Sequence, residues 1–184
     1  MDISSPTGMN SQSPAPAGNA AAAGADYGNA EVQFRMGLKF ANGKGAPPDY
    51  EQAAEWYRKA ADQNHSLAQF NLGVMYARGQ GVIRDAAQSA VWYGKAAHQG
   101  DAAAQFNLGD GCQRASAHQS PADAAESRIE AYKWFRLAAA QGYQNSETAG
   151  NAITINMSRE DVTAGNGRVV AFGLRLKTAS VDDR

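Results

Sequence analysis

Residues 69–82 read QFNLGVMYARGQGV, and the first five letters of this stretch recur as QFRMG at 33–37 and QFNLG at 105–109. Phe34, Phe70 and Phe106 therefore stand 36 residues apart, as do Gly37, Gly73 and Gly109, and Trp56-Tyr57 returns one period later as Trp92-Tyr93. A fixed period of this size marks a stacked repeat protein, because one such unit cannot bury its apolar face alone and must lean on its neighbours. The expected product of a stack is an extended surface for binding rather than a catalytic pocket.

Within the quoted stretch Gln69, Leu72, Gly73 and Tyr76 follow i, i+3, i+4, i+7, which places them on one face of a first helix. Glycine is the informative member of that face. It costs a helix interior about 1 kcal/mol relative to alanine, so its recurrence predicts a partner helix too close for a side chain. A turn follows at Gly43-Lys44-Gly45 and at Gly79-Gln80-Gly81. Asp49 with Gln52, and Asp85 with Gln88, then have the spacing of a capping box opening a second helix. Those second helices alternate small and large residues: Ala53, Trp56, Tyr57, Ala60 and Ala61, then Ser89, Trp92, Tyr93, Ala96 and Ala97. Such faces interlock one helix pair with the next, and the tryptophans Trp56, Trp92 and Trp134 are assigned to the core. Asn64 and Gly100 stand where a left-handed residue ends each second helix.

The third unit is irregular. Gly109-Asp110-Gly111-Cys112 stands where its first helix should continue, Ala115 and Ala117 replace the turn glycines, and Trp92 and Trp134 are 42 residues apart instead of 36. Two glycines and an aspartate should weaken the last turn of that helix, making this the expected place of disorder. Pro121 followed by Asp123 and Glu126 offers a fresh start, near Asp123, for a long second helix running to Gln141, with Gly142 as its stop. Further on, residues 146–155 read as a helix. Another opens on Ser158 and Asp161, with Ala164-Gly165-Asn166-Gly167 placed where they should split it. The chain thus divides into a low-complexity tail at 1–29, repeats at 30–66, 67–102 and 103–145, closing helices at 146–176, and a second tail at 177–184.

The strings NLGVMYARGQGV (71–82), AVWYGKAAHQG (90–100) and EAYKWFRLAAAQG (130–142) resemble the Sel-one-like repeat family, helix-turn-helix repeats related to tetratricopeptide repeats. The likeness covers roughly residues 30–145. It implies an all-α fold, a right-handed superhelix of helix pairs with a C-terminal capping helix. It also implies that the first helices line a concave surface, commonly used to dock other proteins. On that expectation the groove is lined by Phe34, Leu38 and Asn42 of the first unit, Phe70, Val74 and Arg78 of the second, and Phe106, Asp110 and Arg114 of the third. The phenylalanine column anchors an apolar ligand group on one reading and flanks the core on the other, while Arg78 and Arg114 are suited to carboxylates.

Composition narrows the partners. A net charge of -1 and a pI near 6.3 supply no basic field, which disfavours nucleic acid and anionic membrane surfaces. No segment approaches the ~20 apolar residues of a membrane span, and the first 29 residues lack the basic and apolar regions of a secretory signal. A soluble chain, cytoplasmic by default, is the expectation, with a protein or peptide partner, no cofactor, and weak self-association through an exposed end of the stack as an alternative. Cys112, His65, His98 and His118 have no metal-ligand spacing, so no metal is expected. Gly43-Lys44-Gly45 lacks the rest of a phosphate loop. Cysteine-rich relatives of the family have been proposed to act on beta-lactams or peptidoglycan. This chain has a single cysteine and no Ser-x-x-Lys, so catalysis is the disfavoured alternative.

Overall fold

A computed structural model describes residues 27–43 and 47–182. The expected tail at 1–29 falls largely outside these residues, as does the 44–46 part of the first turn. The described chain forms α1 (Ala30–Asn42), α2 (Tyr50–Asp62), α3 (Ser66–Arg78), α4 (Ala86–His98), α5 (Ala102–Ser116), α6 (Pro121–Ala140), α7 (Ser146–Ile153), a short 3-10 turn (Thr154–Asn156) and α8 (Arg159–Asp182). Each of α1, α3 and α5 pairs with the helix that follows it, α2 and α4 pack on the first helix of the next unit, and α6 packs on α7 and α8.

Side-chain oxygens start most of these helices. Asn29 accepts from the Glu31 amide, Asp49 from Gln52, Asp85 from Ala87 and Gln88, Asp101 from Ala104, and Ser120 from Asp123. α8 opens with the reciprocal pair read from the sequence: Ser158 Oγ accepts from the Asp161 amide, and Asp161 Oδ2 accepts from the Ser158 amide. The second helices end at Asn64 (φ 65°), Gly100 (φ 95°) and Gly142 (φ 73°), all left-handed.

What sets the distance between paired helices is the glycine of the QFNLG cassette. A Cβ on Gly37 would lie 2.5 Å from Tyr57 Cδ1, one on Gly73 2.6 Å from Tyr93 Cδ1, and one on Gly109 2.7 Å from Phe135 Cδ1. In each unit an aromatic ring of the second helix lies against the backbone of the first. The small residues Ala53, Ala60, Ala61, Ala68, Ala96, Ala97 and Ala104, all without exposed surface or nearly so, let the remaining helix faces close around these rings.

A second contact joins one unit to the next, and it is polar. Gln69 and Gln105 are each 1% exposed. Gln69 Nε2 donates to the carbonyl of Ala61 in the preceding unit at 3.0 Å, and Gln105 Nε2 donates to that of Ala97 at 3.2 Å. Their carbonyl oxygens accept from Gln99 (2.7 Å) and Gln141 (3.0 Å) at the ends of the second helices. Ahead of α1, the segment Tyr27-Gly28 takes the place of a preceding helix end. Gln33 Nε2 donates to the Tyr27 carbonyl at 2.7 Å, and Gln63 Nε2 donates to the Gly28 carbonyl at 2.8 Å.

The structure corrects several expectations drawn from local propensity. α5 is unbroken through Gly109-Asp110-Gly111 and has 15 residues against 13 in α1 and α3. Gly109 is held against Phe135, and an Arg114–Asp110 pair at 2.9 Å braces the last turns. The insertion extends α6 to 20 residues, with Pro121 in its first turn. α8 is not split at 164–167 either: Gly165 presses on Tyr132, whose hydroxyl donates to Asn166 Oδ1 at 3.0 Å, so the poor helix formers are there for contact. α8 continues past residue 176 to Asp182. It is tied to α6 by Arg168, which donates to both oxygens of Glu126 (2.7 and 3.0 Å) and to Glu130, and by Phe172 against Trp134. Trp92 and Trp134 are core residues as expected, but Trp56 is half-buried, because no described helix precedes α1 to cover it. Tyr27 and Lys59 lie on its ring instead.

Replacing Gly73 by alanine is expected to lower stability by roughly 1–3 kcal/mol, since the Tyr93 ring must move. Gly111→Ala, where nothing lies within 4 Å of the new methyl, is expected to raise stability by up to about 1 kcal/mol. Urea melts of the two variants beside the parent chain check both signs.

Candidate functional site

The sequence places nine residues on the free side of the first helices, and the structure treats the three units differently. In the first unit Phe34 is buried. Its ring lies 5.8 Å from Tyr57 and stacks 4.6 Å from His65, whereas Leu38 is half-buried against the same cluster and Asn42 is exposed. In the second and third units the column is half-buried. Phe70 lies 5.7 Å from Tyr93, Phe106 lies 5.5 Å from both Phe135 and Tyr143, Val74 is partly covered, and Arg78 and Arg114 are exposed.

His65 makes the difference in the first unit. It caps α3 by accepting from the Ala68 amide at 3.2 Å, and its other ring nitrogen meets Glu31 at 3.1 Å. Hydrogen bonds from His65 and Arg35 hold the Glu31 carboxyl below its usual range. At the equivalent position the second interface has Asp101, a small cap, and the third has Tyr143. The face therefore offers its aromatic rings to solvent toward the C-terminal side of the stack.

Two buried phenols differ in what surrounds them. Burial alone pushes the Tyr57 hydroxyl up to about 12. Burial also pushes Tyr93 up, but a hydrogen bond with Ser89 and the guanidiniums of Arg78 and Arg114 pull it back, while the Tyr143 phenol adds a small upward push. Tyr93, which sequence reading assigned to the core alone, thus feels the charges of Arg78 and Arg114 from the last turns of α3 and α5. Arg114 is shared with Asp110.

The buried glutamines were also missed. Gln33, Gln69 and Gln105 were visible as a 36-residue column, and Gln63 and Gln99 as another, but pairing them required knowing which helix ends meet. As for nucleophilic chemistry, Cys112 is half-buried between α5 and α6, and burial pushes its thiol up, opposite to the lowered value a nucleophilic thiolate needs. Among the described residues no group of three or more His, Cys, Asp or Glu side chains is placed to hold a metal ion. None of the helices searched is long and apolar enough to cross a membrane.

Consecutive helix pairs, each built on one repeated ring-on-glycine contact, define a right-handed α-solenoid. The family model described as Sel1 repeat matches residues 30–65, 66–101 and 102–143, and the chain belongs to that family. Solved structures agree. A protective antigen of uropathogenic Escherichia coli strains displaying an SLR fold is 26% identical with a TM-score of 0.67, over 79% of this chain and 30% of that one. A Sel1 repeat protein from Oxalobacter formigenes is 33% identical with a TM-score of 0.57, over 64% of this chain and 46% of that one. The chain thus spans less than half the length of either. No curated protein gives a significant match. Members of the family generally mediate protein–protein interactions and are typically non-catalytic scaffolds.

Because a phenol with a raised value binds its proton more tightly folded than unfolded, Tyr57 stabilises the fold fully below about pH 10 and loses that contribution as pH rises toward about 12. Tyr57→Phe is expected to flatten the fall in stability over this window, read from urea midpoints measured at stepped pH.

Proposed function

We propose that this chain is a non-catalytic adaptor that binds a protein or peptide along its first-helix face, using Leu38, Asn42, Phe70, Val74, Arg78, Phe106, Asp110 and Arg114, while Phe34, expected in the same column, is buried and leaves the contact surface. In this reading residues 30–145 form the repeat body, 146–176 close its C-terminal end, and no cofactor takes part. The observation that supports it most directly is the half-burial of Phe70 and Phe106. A stack that needed these rings only for packing had the means to cover them, as it covers Phe34 with His65. Rings that rest on a rigid neighbour and keep one side open give contact area at little entropic cost. The thiol of Cys112 argues against the hydrolytic alternative, since it lacks the lowered value of a nucleophile.

Affinity capture from native cells with the parent chain, Phe70→Ala and Arg78→Ala tests this reading. Both variants are expected to lose the same prey, with Phe70→Ala costing less than the roughly 3–5 kcal/mol of a fully buried phenylalanine in a thermal melt. Unchanged capture together with a loss of that full size would return Phe70 to a packing role.

A further inference from the structure

A cleft opens where the third repeat meets α7. The connection from α6 to α7 spans residues 141–145, two more than at 63–65 or 99–101, with Gly142 (φ 73°) and Asn145 (φ 63°) both left-handed. Beside it lies a space of about 400 Å3 whose lining includes Phe106, Gln141, Tyr143, Gln144 and Asn145. Its aromatic wall is the Phe106–Tyr143 pair, with ring centroids 5.5 Å apart, and Phe106 rests in turn on Phe135.

The chemistry of the lining narrows what fits. No side chain in it carries a charge, so a charged group entering would lose hydration without gaining a counter-charge. Its polar groups are uncommitted. Among the described residues the Tyr143 hydroxyl and the side-chain amides of Gln144 and Asn145 have no hydrogen-bond partner, and all three residues are exposed. Asn145 alone among the described α-helix starts makes no side-chain bond to its own helix. Aromatic rings beside free donors suit a segment with flat apolar rings and unpaired carbonyls. Proline supplies both, because it brings no N–H and its extended helix has no internal hydrogen bonds.

This chain has such a segment. No residue between Asp2 and Asp26 is charged, and Ser13-Pro14-Ala15-Pro16-Ala17 falls within that stretch. Ala15 precedes Tyr27, where the described fold begins, by twelve residues. At about 3.1 Å per residue these reach about 37 Å when extended. The cleft lies between the starts of α5 and α7, two to three units from α1. Helices packed side by side stand roughly 10 Å apart, so the distance to cover is roughly 20–30 Å. We propose that residues 13–17 occupy the cleft of their own molecule, with the prolines against Phe106 and Tyr143 and the carbonyls accepting from Gln144 and Asn145. The tether makes the contact intramolecular, at an effective concentration on the order of 1 mM, so a small interface suffices to populate it. It covers Phe106 and leaves Phe70 open, and it stands whether or not a partner docks on the first helices.

Nuclear magnetic resonance on the full chain tests it in two ways. Replacing both prolines, Pro14→Ala with Pro16→Ala, is expected to move the amide signals of residues 102–106 and 141–145 and to leave the rest of the repeats unmoved. A nitroxide on Ser11→Cys, in a Cys112→Ala background, is expected to relax the Gln144 and Asn145 amides at least about threefold faster than those of Arg78 and Arg114 at the far ends of α3 and α5. The double proline variant and Tyr143→Ala should each remove most of that difference. The proline variants lie outside the helices and keep the test valid if Cys112→Ala or Tyr143→Ala impairs folding. Unmoved signals at 141–145 in the double proline variant overturn the proposal, as does relaxation that is uniform along the stack or indifferent to the prolines. An enhancement that fades on about tenfold dilution overturns it too, because the contact then joins two copies rather than one chain to itself.

Discussion

The stack depends on a ring lying against a bare helix backbone. Tyr57 on Gly37, Tyr93 on Gly73 and Phe135 on Gly109 repeat one contact at one distance, and Tyr132 on Gly165 extends it to α8. The contact fixes how closely two helices approach, because a methyl in place of the glycine hydrogen would overlap the ring. It also disposes of large apolar area with few side chains, which suits units too small to have a core of their own. The small residues around it follow from that approach, since helices this close leave room for alanine and serine but for little else.

The glycine contact orders each pair internally, whereas the buried glutamines order the pairs relative to one another. An amide buried without partners costs a few kcal/mol, so each glutamine favours the one arrangement in which a neighbouring helix end presents both a carbonyl and a side-chain donor. Hydrophobic packing alone tolerates sliding; a satisfied amide does not. Tyr27 and Gly28 supply the same acceptors to the first unit, so a non-helical segment substitutes for a helix end there. At the other end α8 is docked by ion pairs from Arg168 together with Phe172 against Trp134.

These constraints also shape the exposed side of the first helices. The ring that presses on each glycine supports the phenylalanine one turn earlier on the first helix, so Phe70 and Phe106 are held rigidly while one side stays open. What covers or exposes them is a single position in the connection to the next unit: histidine in the first, aspartate in the second, tyrosine in the third. The third connection's two added residues turn that position into the wall of a cleft. Irregularity in the repeat, which read locally as damage, is where the face acquires individual character.

Much of this was legible in the sequence. The period, the glycine register, the aspartate caps, the Ser158–Asp161 capping box and the left-handed stops at Asn64 and Gly100 are local or periodic signals, and each determined its own feature because neighbouring residues in the chain suffice to make it. What only the tertiary structure decided was whatever required two distant segments at once. Gly109-Asp110-Gly111 and Ala164-Gly165-Asn166-Gly167 are poor helix formers by propensity, yet both are helical, because packing on Phe135 and Tyr132 outweighs a cost of about 1 kcal/mol per glycine. Likewise the pairing of Gln69 with Gln99 and the covering of Phe34 by His65 depend on how successive pairs stack, which sequence periodicity announces without giving the distances.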